Sequence, residues 1–311
     1  MINGVLNINK PEGITSAKVV QIIKKKLKCN KAGHTGTLDP FATGVLLVCI
    51  NKATKIAQYL SILDKEYIGT MILGIATDTQ DLKGKIINIK SIEQSMLNYK
   101  RINDVFKSFL GNIWQKPPVF SAKKHKGVRL YTFARKGIKV DLSPHRVTIH
   151  NISILKIVYD SFPSIVFKIK CSKGTYIRAL CNDIGEKLGC GAYLSQLKRT
   201  EVGNYNIGHS INLDSFLEKQ YKEQNKYIVT MDQSLSQYKK LILRKDENLT
   251  ARIRNGNQFS DNEIDFIDNG KANTPGGIFR VCSNDGDLIA IAKVIEESGY
   301  PKKYKVTKVF V

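Results

Sequence analysis

Ala32-Gly-His-Thr-Gly-Thr-Leu-Asp-Pro-Phe-Ala-Thr-Gly44, running straight into Val45-Leu-Leu-Val-Cys-Ile50, is the stretch from which the rest of the chain is read. Three glycines and one proline in the first part hold an irregular backbone, and loops on rigid scaffolds are where sites tend to lie. The second part is an unbroken apolar run bounded by Gly and Asn, which fits a strand buried on both faces. The loop is no Walker P-loop, which needs Gly-Lys-Ser/Thr, and its Gly-His-Thr-Gly lacks the spacing of a dinucleotide fingerprint. On local pattern alone Asp39, before Pro40, is a turn initiator and His34 a loop hydrogen bonder.

Working outward, residues 4–8 read as a strand, and Thr15 to Leu27 carries Val19, Val20, Ile22, Ile23 and Leu27 on one helical face. Lys28 to Gly44 reads as loop throughout. Downstream, Ile56, Ala57, Leu60 and Leu63 mark a helix. Tyr67–Leu73 and Lys85–Ile89 read as strands around the loop 77–84. Ser91 with Gln94 forms a capping box for a helix that turns Ile92, Met96, Tyr99, Phe106 and Phe109 toward a core and ends at Gly111. Strands follow at Arg146–Val158 and Ile165–Cys171, the second alternating apolar residues with Lys168 and Lys170. Thr175 caps a helix to Leu188, closed by Gly189, and Ala192–Tyr205 returns as strand. Leu213 to about Leu241 is polar and reads as the connection to a second unit. There Gly276–Cys282 and Leu288–Val294 flank Ser-Asn-Asp-Gly286 as a hairpin.

Composition narrows the function classes. The 311 residues carry 49 Lys+Arg against 27 Asp+Glu, a formal charge of +22, with 42% hydrophobic residues. That supports a folded core and a polyanionic partner, although 39 of the basic residues are Lys, a bias that an AT-rich genome also produces. No apolar run approaches the roughly 20 residues that span a bilayer, so no membrane role is expected. The N-terminus has no export leader, and the six cysteines, without a CxxC pair, read as reduced thiols in cytoplasm. No His/Cys/Asp cluster has metal-ligand spacing and no Gly-x-Ser-x-Gly elbow occurs.

Two features point past a bland reading. Residues 115–140 interleave Lys and Arg with Phe120, Tyr131 and Phe133, as a nucleic-acid groove needs cations for phosphate and rings for bases. Arg178 lies in the first turn of the helix opened at Thr175, where the macrodipole disfavours a cation by about 0.3–1 kcal/mol. A nearby anion would offset that. Helical spacing puts Tyr176 and Arg178 beside the apolar stripe, where they can face a cleft edge or lie on the domain surface as an amphipathic tyrosine and a snorkelling arginine.

Gly33–Gly44 resembles the signature of the TruB family of tRNA pseudouridine synthases. Gly4–Gly13, Lys65-Glu-Tyr67, Thr77-Asp-Thr-Gln-Asp81, Cys171–Arg178, Asp183–Ala192 and Leu197-Lys-Arg-Thr200 fit the same pattern in order. The resemblance implies an α+β pseudouridine-synthase fold, a mixed, largely antiparallel sheet with flanking helices. Residues 1–240 would form the catalytic domain with a thumb-like insertion at about 115–140, and 241–311 a small, mainly β, PUA-like RNA-binding domain. The implied activity is isomerisation of uridine-55 to pseudouridine in the TΨC loop of tRNA after base flipping. Asp39, Tyr67 and Arg178 match catalytic positions, and His34, Lys10, Tyr176 and Leu197 match substrate-binding ones. Lys123, Lys124, Lys126 and Arg129 fall in the insertion as RNA contacts, where Phe120 departs from the commoner Tyr. The resemblance implies no cofactor, no metal and no required protein partner, and a monomer is the default. Two alternatives share the scaffold: a guide-RNA-dependent pseudouridine synthase, and a non-catalytic protein that binds or folds tRNA.

Overall fold

The computed structural model describes residues 2–90, 92, 98–121, 124–125, 127–138, 140–268, 277–296 and 301–310. The first unit is built on β1 (Gly4–Lys10), α1 (Ser16–Lys26), β2 (Ala32–His34), β3 (Thr43–Ile50), α2 (Ala57–Ser61), β4 (Lys65–Leu73), β5 (Ile75–Thr77) and β6 (Ile86–Ile89). It continues with α3 (Tyr99–Lys107), β7 (Gly111–Gln115), β8 (Lys124–His125), β9 (Val128–Arg129), α4 (Leu130–Arg135), β10 (His145–Val158), β11 (Ser164–Cys171), α5 (Ile177–Leu188) and β12 (Ala192–Val202).

The main sheet runs β1-β3-β12-β4-β11-β10-β7, antiparallel except where β12 meets β3 in parallel at Lys198↔Thr43 and Arg199↔Gly44, and the short strand Ile211–Asn212 adds to the outer side of β1, also in parallel. That parallel junction joins the N-terminal and later halves of the chain at the end of the Gly33–Gly44 loop. The expected mixed, largely antiparallel sheet with flanking helices is what forms. Val45 to Ile50 are wholly buried, as an apolar run without alternation requires. On β11 Ile165, Phe167, Ile169 and Cys171 are buried while Lys168 and Lys170 face solvent, a strand with one covered side. The covered side of β4 and β11 packs against α5 and α3 through Leu180, Ile184, Ile102 and Phe106. Helix α1 is capped by Thr15, whose hydroxyl accepts from the Lys18 N–H at 3.1 Å, and buries Val19 and Ile23 against β1 and β3.

Several local expectations change. The segment 28–44 is not loop throughout, since β2 pairs with the far end of β3 at Ala32↔Ile50 and His34↔Val48. The helix expected from Ser91 is described only from Tyr99, with Asn98 capping it by accepting from the Arg101 N–H at 2.9 Å. Ser91, Gln94 and Met96 lie outside the described residues, and Tyr99 faces solvent rather than the core. Thr175 does not cap α5; Tyr176 occupies that position, and the Thr175 hydroxyl donates to the Ser172 carbonyl at 2.9 Å. The strand expected over 192–205 ends at Val202 and turns back at Tyr205–Asn206.

The polar segment 213–241 is part of the first unit as much as a connection. Ile228–Val229 pairs with β1, and Leu213 and Phe216 are buried in the cluster beneath α1. The second sheet is mainly antiparallel. Its order is Phe259–Ser260, Lys303–Val309, Leu288–Glu296, Ile278–Cys282, Lys239–Leu243, Ile264–Asp268, around its own apolar cluster. The hairpin expected across Ser283–Gly286 is present as the Ile278–Cys282/Leu288–Glu296 pair. A further cluster joins the two units, with Val5, Leu47 and Ile56 meeting Tyr238, Ile291 and Phe310. All six cysteines are buried thiols. Among the described residues no helix is long and apolar enough to cross a membrane.

Candidate functional site

The loop between β2 and β3 is pinned by its apolar residues, while Thr37 and Pro40 are exposed and Asp39 is half-buried between them. Leu38, Phe41 and Ala42 sink into the cluster that also holds Tyr67, Ile177 and Leu197. Buried Ser16 grips the Leu38 peptide from both sides, accepting from its N–H at 2.9 Å and donating to its carbonyl at 3.0 Å. The Ala42 N–H closes the turn on the Asp39 carbonyl. With Leu38, Phe41 and Ala42 anchored inward, Asp39 presents a side chain one-third exposed.

Arg178 meets it from α5. Nε lies 2.9 Å from Asp39 Oδ2 and Nη2 3.3 Å from Oδ1, a two-pronged pair across 139 residues of sequence. Nη1 donates to Asp81 Oδ2 at 3.2 Å and to the Thr79 carbonyl at 3.0 Å, and Nη2 also reaches the Phe120 carbonyl at 2.9 Å. All five guanidinium donors are therefore engaged. The anion called for by a cation near a helix N-terminus is present twice, as Asp39 and Asp81. Arg178 is not at a cleft edge: only 5% of it is exposed. Burial pushes the Asp39 carboxyl above the usual carboxylate range; Arg178 pulls it down and Asp81 pushes it further up.

Lys10 lies beneath the loop, wholly buried. Its ammonium donates to the carbonyls of Pro11 (2.8 Å), Ile14 (2.7 Å) and Pro40 (3.2 Å). Burial lowers its pKa to about 8, against the pull of Asp39. Lys10 holds the backbone next to Asp39 and does not reach into open space. Tyr67 is on the covered side of β4, between Ile169 of β11 and Arg199 of β12 in register, and burial raises its hydroxyl pKa while Arg199 lowers it. Leu197, 8% exposed, stands on β12 opposite Gly69. Tyr176 begins α5, its ring edge-on to His145 at 6.0 Å. The structure thus brings Asp39, Tyr67, Arg178, Leu197 and Tyr176 around one region, with Lys10 behind it. His34 stands on β2, beside β3.

Of the basic residues expected to touch RNA, Lys123 and Lys126 lie outside the described residues. Lys124 and Arg129 pair across the β8–β9 hairpin, and only their backbones are described. Three further contributors were not singled out from the sequence, although Asp81 and Arg199 lie within blocks that carry the resemblance. Asp81 shares Arg178 with Asp39, and its motif was visible without its partner. Gln115 is fully buried and clamps the Tyr176 peptide, accepting from its N–H at 2.8 Å and donating to its carbonyl at 3.0 Å. Arg199 donates to the Gly36 and Val45 carbonyls. No group of three or more His, Cys, Asp or Glu side chains that could hold a metal occurs among the described residues.

Comparison with known proteins adds to this geometry. Residues 24–177 match the family described as TruB family pseudouridylate synthase, N-terminal domain, and residues 178–243 match the tRNA pseudouridylate synthase B C-terminal domain. The chain is 41% identical over 310 residues, all of both chains, to tRNA pseudouridine synthase B of Clostridium tetani. It is 44% identical over 231 residues, 74% of this chain and 75% of that one, to the protein of the same name from Francisella philomiragia. Among solved structures it resembles a chain of an H/ACA RNP bound to a substrate RNA containing 2'-deoxyuridine, at 27% identity and TM-score 0.74. It also resembles a chain of a Cbf5-Nop10-Gar1 complex, at 28% identity and TM-score 0.75. Each likeness covers 99% of this chain and 85% of the other.

Proposed function

The chain belongs to the TruB family of pseudouridylate synthases, isomerases that form pseudouridine in tRNA, and on that premise we propose that its target is uridine-55 of the TΨC loop. Asp39 is the catalytic carboxylate in this reading. The reaction breaks the N1–C1′ bond, turns the uracil and forms C5–C1′; the C5 proton leaves and N1 gains one, so no redox partner is needed. A carboxylate serves such a step by giving negative charge to the nucleoside as the glycosidic bond opens. The observation that carries the reading is the two-pronged Asp39–Arg178 pair, which fixes the orientation of a carboxylate left one-third open.

Tyr67 and Leu197 then face the extruded base, the ring by stacking and its hydroxyl as a group able to move a proton. Arg178 and Lys10 hold Asp39 in place, and Tyr176 and His34 border the flipped nucleotide. Unstacking the uridine costs a few kcal/mol, which the Lys and Arg of residues 115–140 offset by holding phosphate. Residues 241–311 serve as a second RNA-binding unit, and the protein acts alone as a cytoplasmic monomer.

The test is to incubate purified protein with an unmodified tRNA transcript and map pseudouridine at every uridine, with Asp39→Asn alongside. Product at position 55 with wild type and none with Asp39→Asn supports the proposal. Turnover that appears only when a guide RNA is added moves the assignment to the guide-dependent alternative. Tight tRNA binding by both proteins without product from either leaves the binding-only alternative.

A further inference from the structure

Arg199 is only 2% exposed, deeper than every group assigned a chemical role above except Lys10. Its place in the sheet is unusual: on β12 it is in register with Gly44 of β3 on one side and with Tyr67 of β4 on the other. The end of the Asp39 loop and the tyrosine are thus its two cross-strand neighbours.

Its side chain repeats the connection. Nε donates to the Val45 carbonyl at 2.7 Å, just after the loop, and Nη2 to the Gly36 carbonyl at 3.1 Å, just before Asp39. Burial raises the Tyr67 hydroxyl pKa, and the Arg199 charge beside it pulls it back down. Contact at the loop's end is tight: Gly44 has φ +100°, and a Cβ there would stand 2.2 Å from the Arg199 carbonyl oxygen. Where Arg178 is met by two carboxylates, Arg199 is met by backbone carbonyls, which offset the burial of this cation at the two places where the loop must be held.

We infer that Arg199 is a positioning residue for the isomerisation, tying both ends of the Asp39 loop to Tyr67 so that carboxylate and hydroxyl keep a fixed relation to the flipped nucleotide. Its planar fork suits this because one rigid group reaches the Gly36 and Val45 carbonyls from a strand position in register with Tyr67; a lysine ammonium on a flexible stem cannot reproduce that geometry. The inference rests on the roles proposed above for Asp39 and Tyr67.

The experiment is single-turnover conversion of a tRNA transcript by full-length Arg199→Met and Arg199→Lys, with tRNA affinity measured in parallel. The amplitude at excess enzyme reports how much protein is competent, and the rate reports the chemical step. Arg199→Met is expected to keep full amplitude and an affinity within about threefold of wild type while its rate falls on the order of 100-fold, the scale of a misplaced catalytic group. Wild-type rate with reduced amplitude, or no change in either, overturns the inference, since Arg199 would then matter for folding alone or not at all. Should Arg199→Met lose both, Arg199→Lys decides: recovered amplitude with a still-slow rate supports positioning, and recovery of both or of neither overturns it. Activity in Asp39→Asn would instead bring down the underlying reading, whatever Arg199 does.

Discussion

The two units of the molecule treat positive charge in opposite ways. Residues 241–311 contain eleven Lys+Arg and ten Asp+Glu, so almost the whole excess of +22 belongs to residues 1–240. The first unit also takes cations inside: Lys10, Lys65, Arg178 and Arg199 are all buried. In the second, Arg280 is the one buried cation among the described residues, held by Asp232 at 2.7 Å and the Tyr238 carbonyl at 2.9 Å. Burying a cation is costly unless every donor is met. The chain does so four times around one sheet, so the buried cations and almost the whole charge excess fall in the same part of the molecule, the part that holds the proposed site.

The largest effect that would break this contrast is at Asp39. Asp39→Asn is expected to lower single-turnover rate by on the order of 10³-fold or more, with tRNA affinity held within a few-fold, because the carboxylate acts on the transition state and not on capture. Next comes Arg178→Lys, which keeps the charge and loses the fork; a fall of about 10²-fold in rate is expected, read in the same assay.

Asp81→Asn sharpens the contrast through pH. In the proposed role Asp39 must be ionised to act, so activity is expected to decline as pH falls through its raised pKa, and after burial Asp81 is one cause of that rise. Removing the Asp81 charge moves the acid limb of the rate profile to lower pH; an unmoved or upward-shifted limb would show that Asp81 does not act on Asp39. The smallest effect compares the units directly. Neutralising Lys123, Lys124 and Lys126 together is expected to flatten the slope of log affinity against log salt by up to about 3, and Lys303→Gln with Lys305→Gln by less than about 1. Equal slopes would place the electrostatic grip on both halves alike.

How much of this was legible in the sequence depended on reach along the chain. The β3 strand could be read because a glycine-bounded apolar run is a local signal, whereas β2 within the preceding segment could not, since it forms only by pairing with β3. The need of Arg178 for an anion could be read because it follows from helix polarity alone. The start of α5 could not: Gln115, 61 residues earlier, fixes the Tyr176 peptide from both sides, and nothing near Thr175 announces it. Asp81 stood in a recognisable motif, but its partner lies 97 residues away. The segment 213–241 misleads because its polar composition hides Leu213 and Phe216, which find their neighbours under α1. The β8–β9 hairpin carries the same lesson in reverse, since its basic composition was plain while its Lys124↔Arg129 pairing was not.

The fully occupied guanidinium of Arg178 has a mechanical corollary. One of its five acceptors, the Phe120 carbonyl, belongs to the strip of chain that leads into the basic excursion. Any swing of that excursion over bound RNA which dragged Phe120 along would orphan a buried donor, at roughly 1–3 kcal/mol. A movement of the excursion that kept every Arg178 donor paired would therefore have to leave Phe120 in place, beside the Asp39–Arg178 pair.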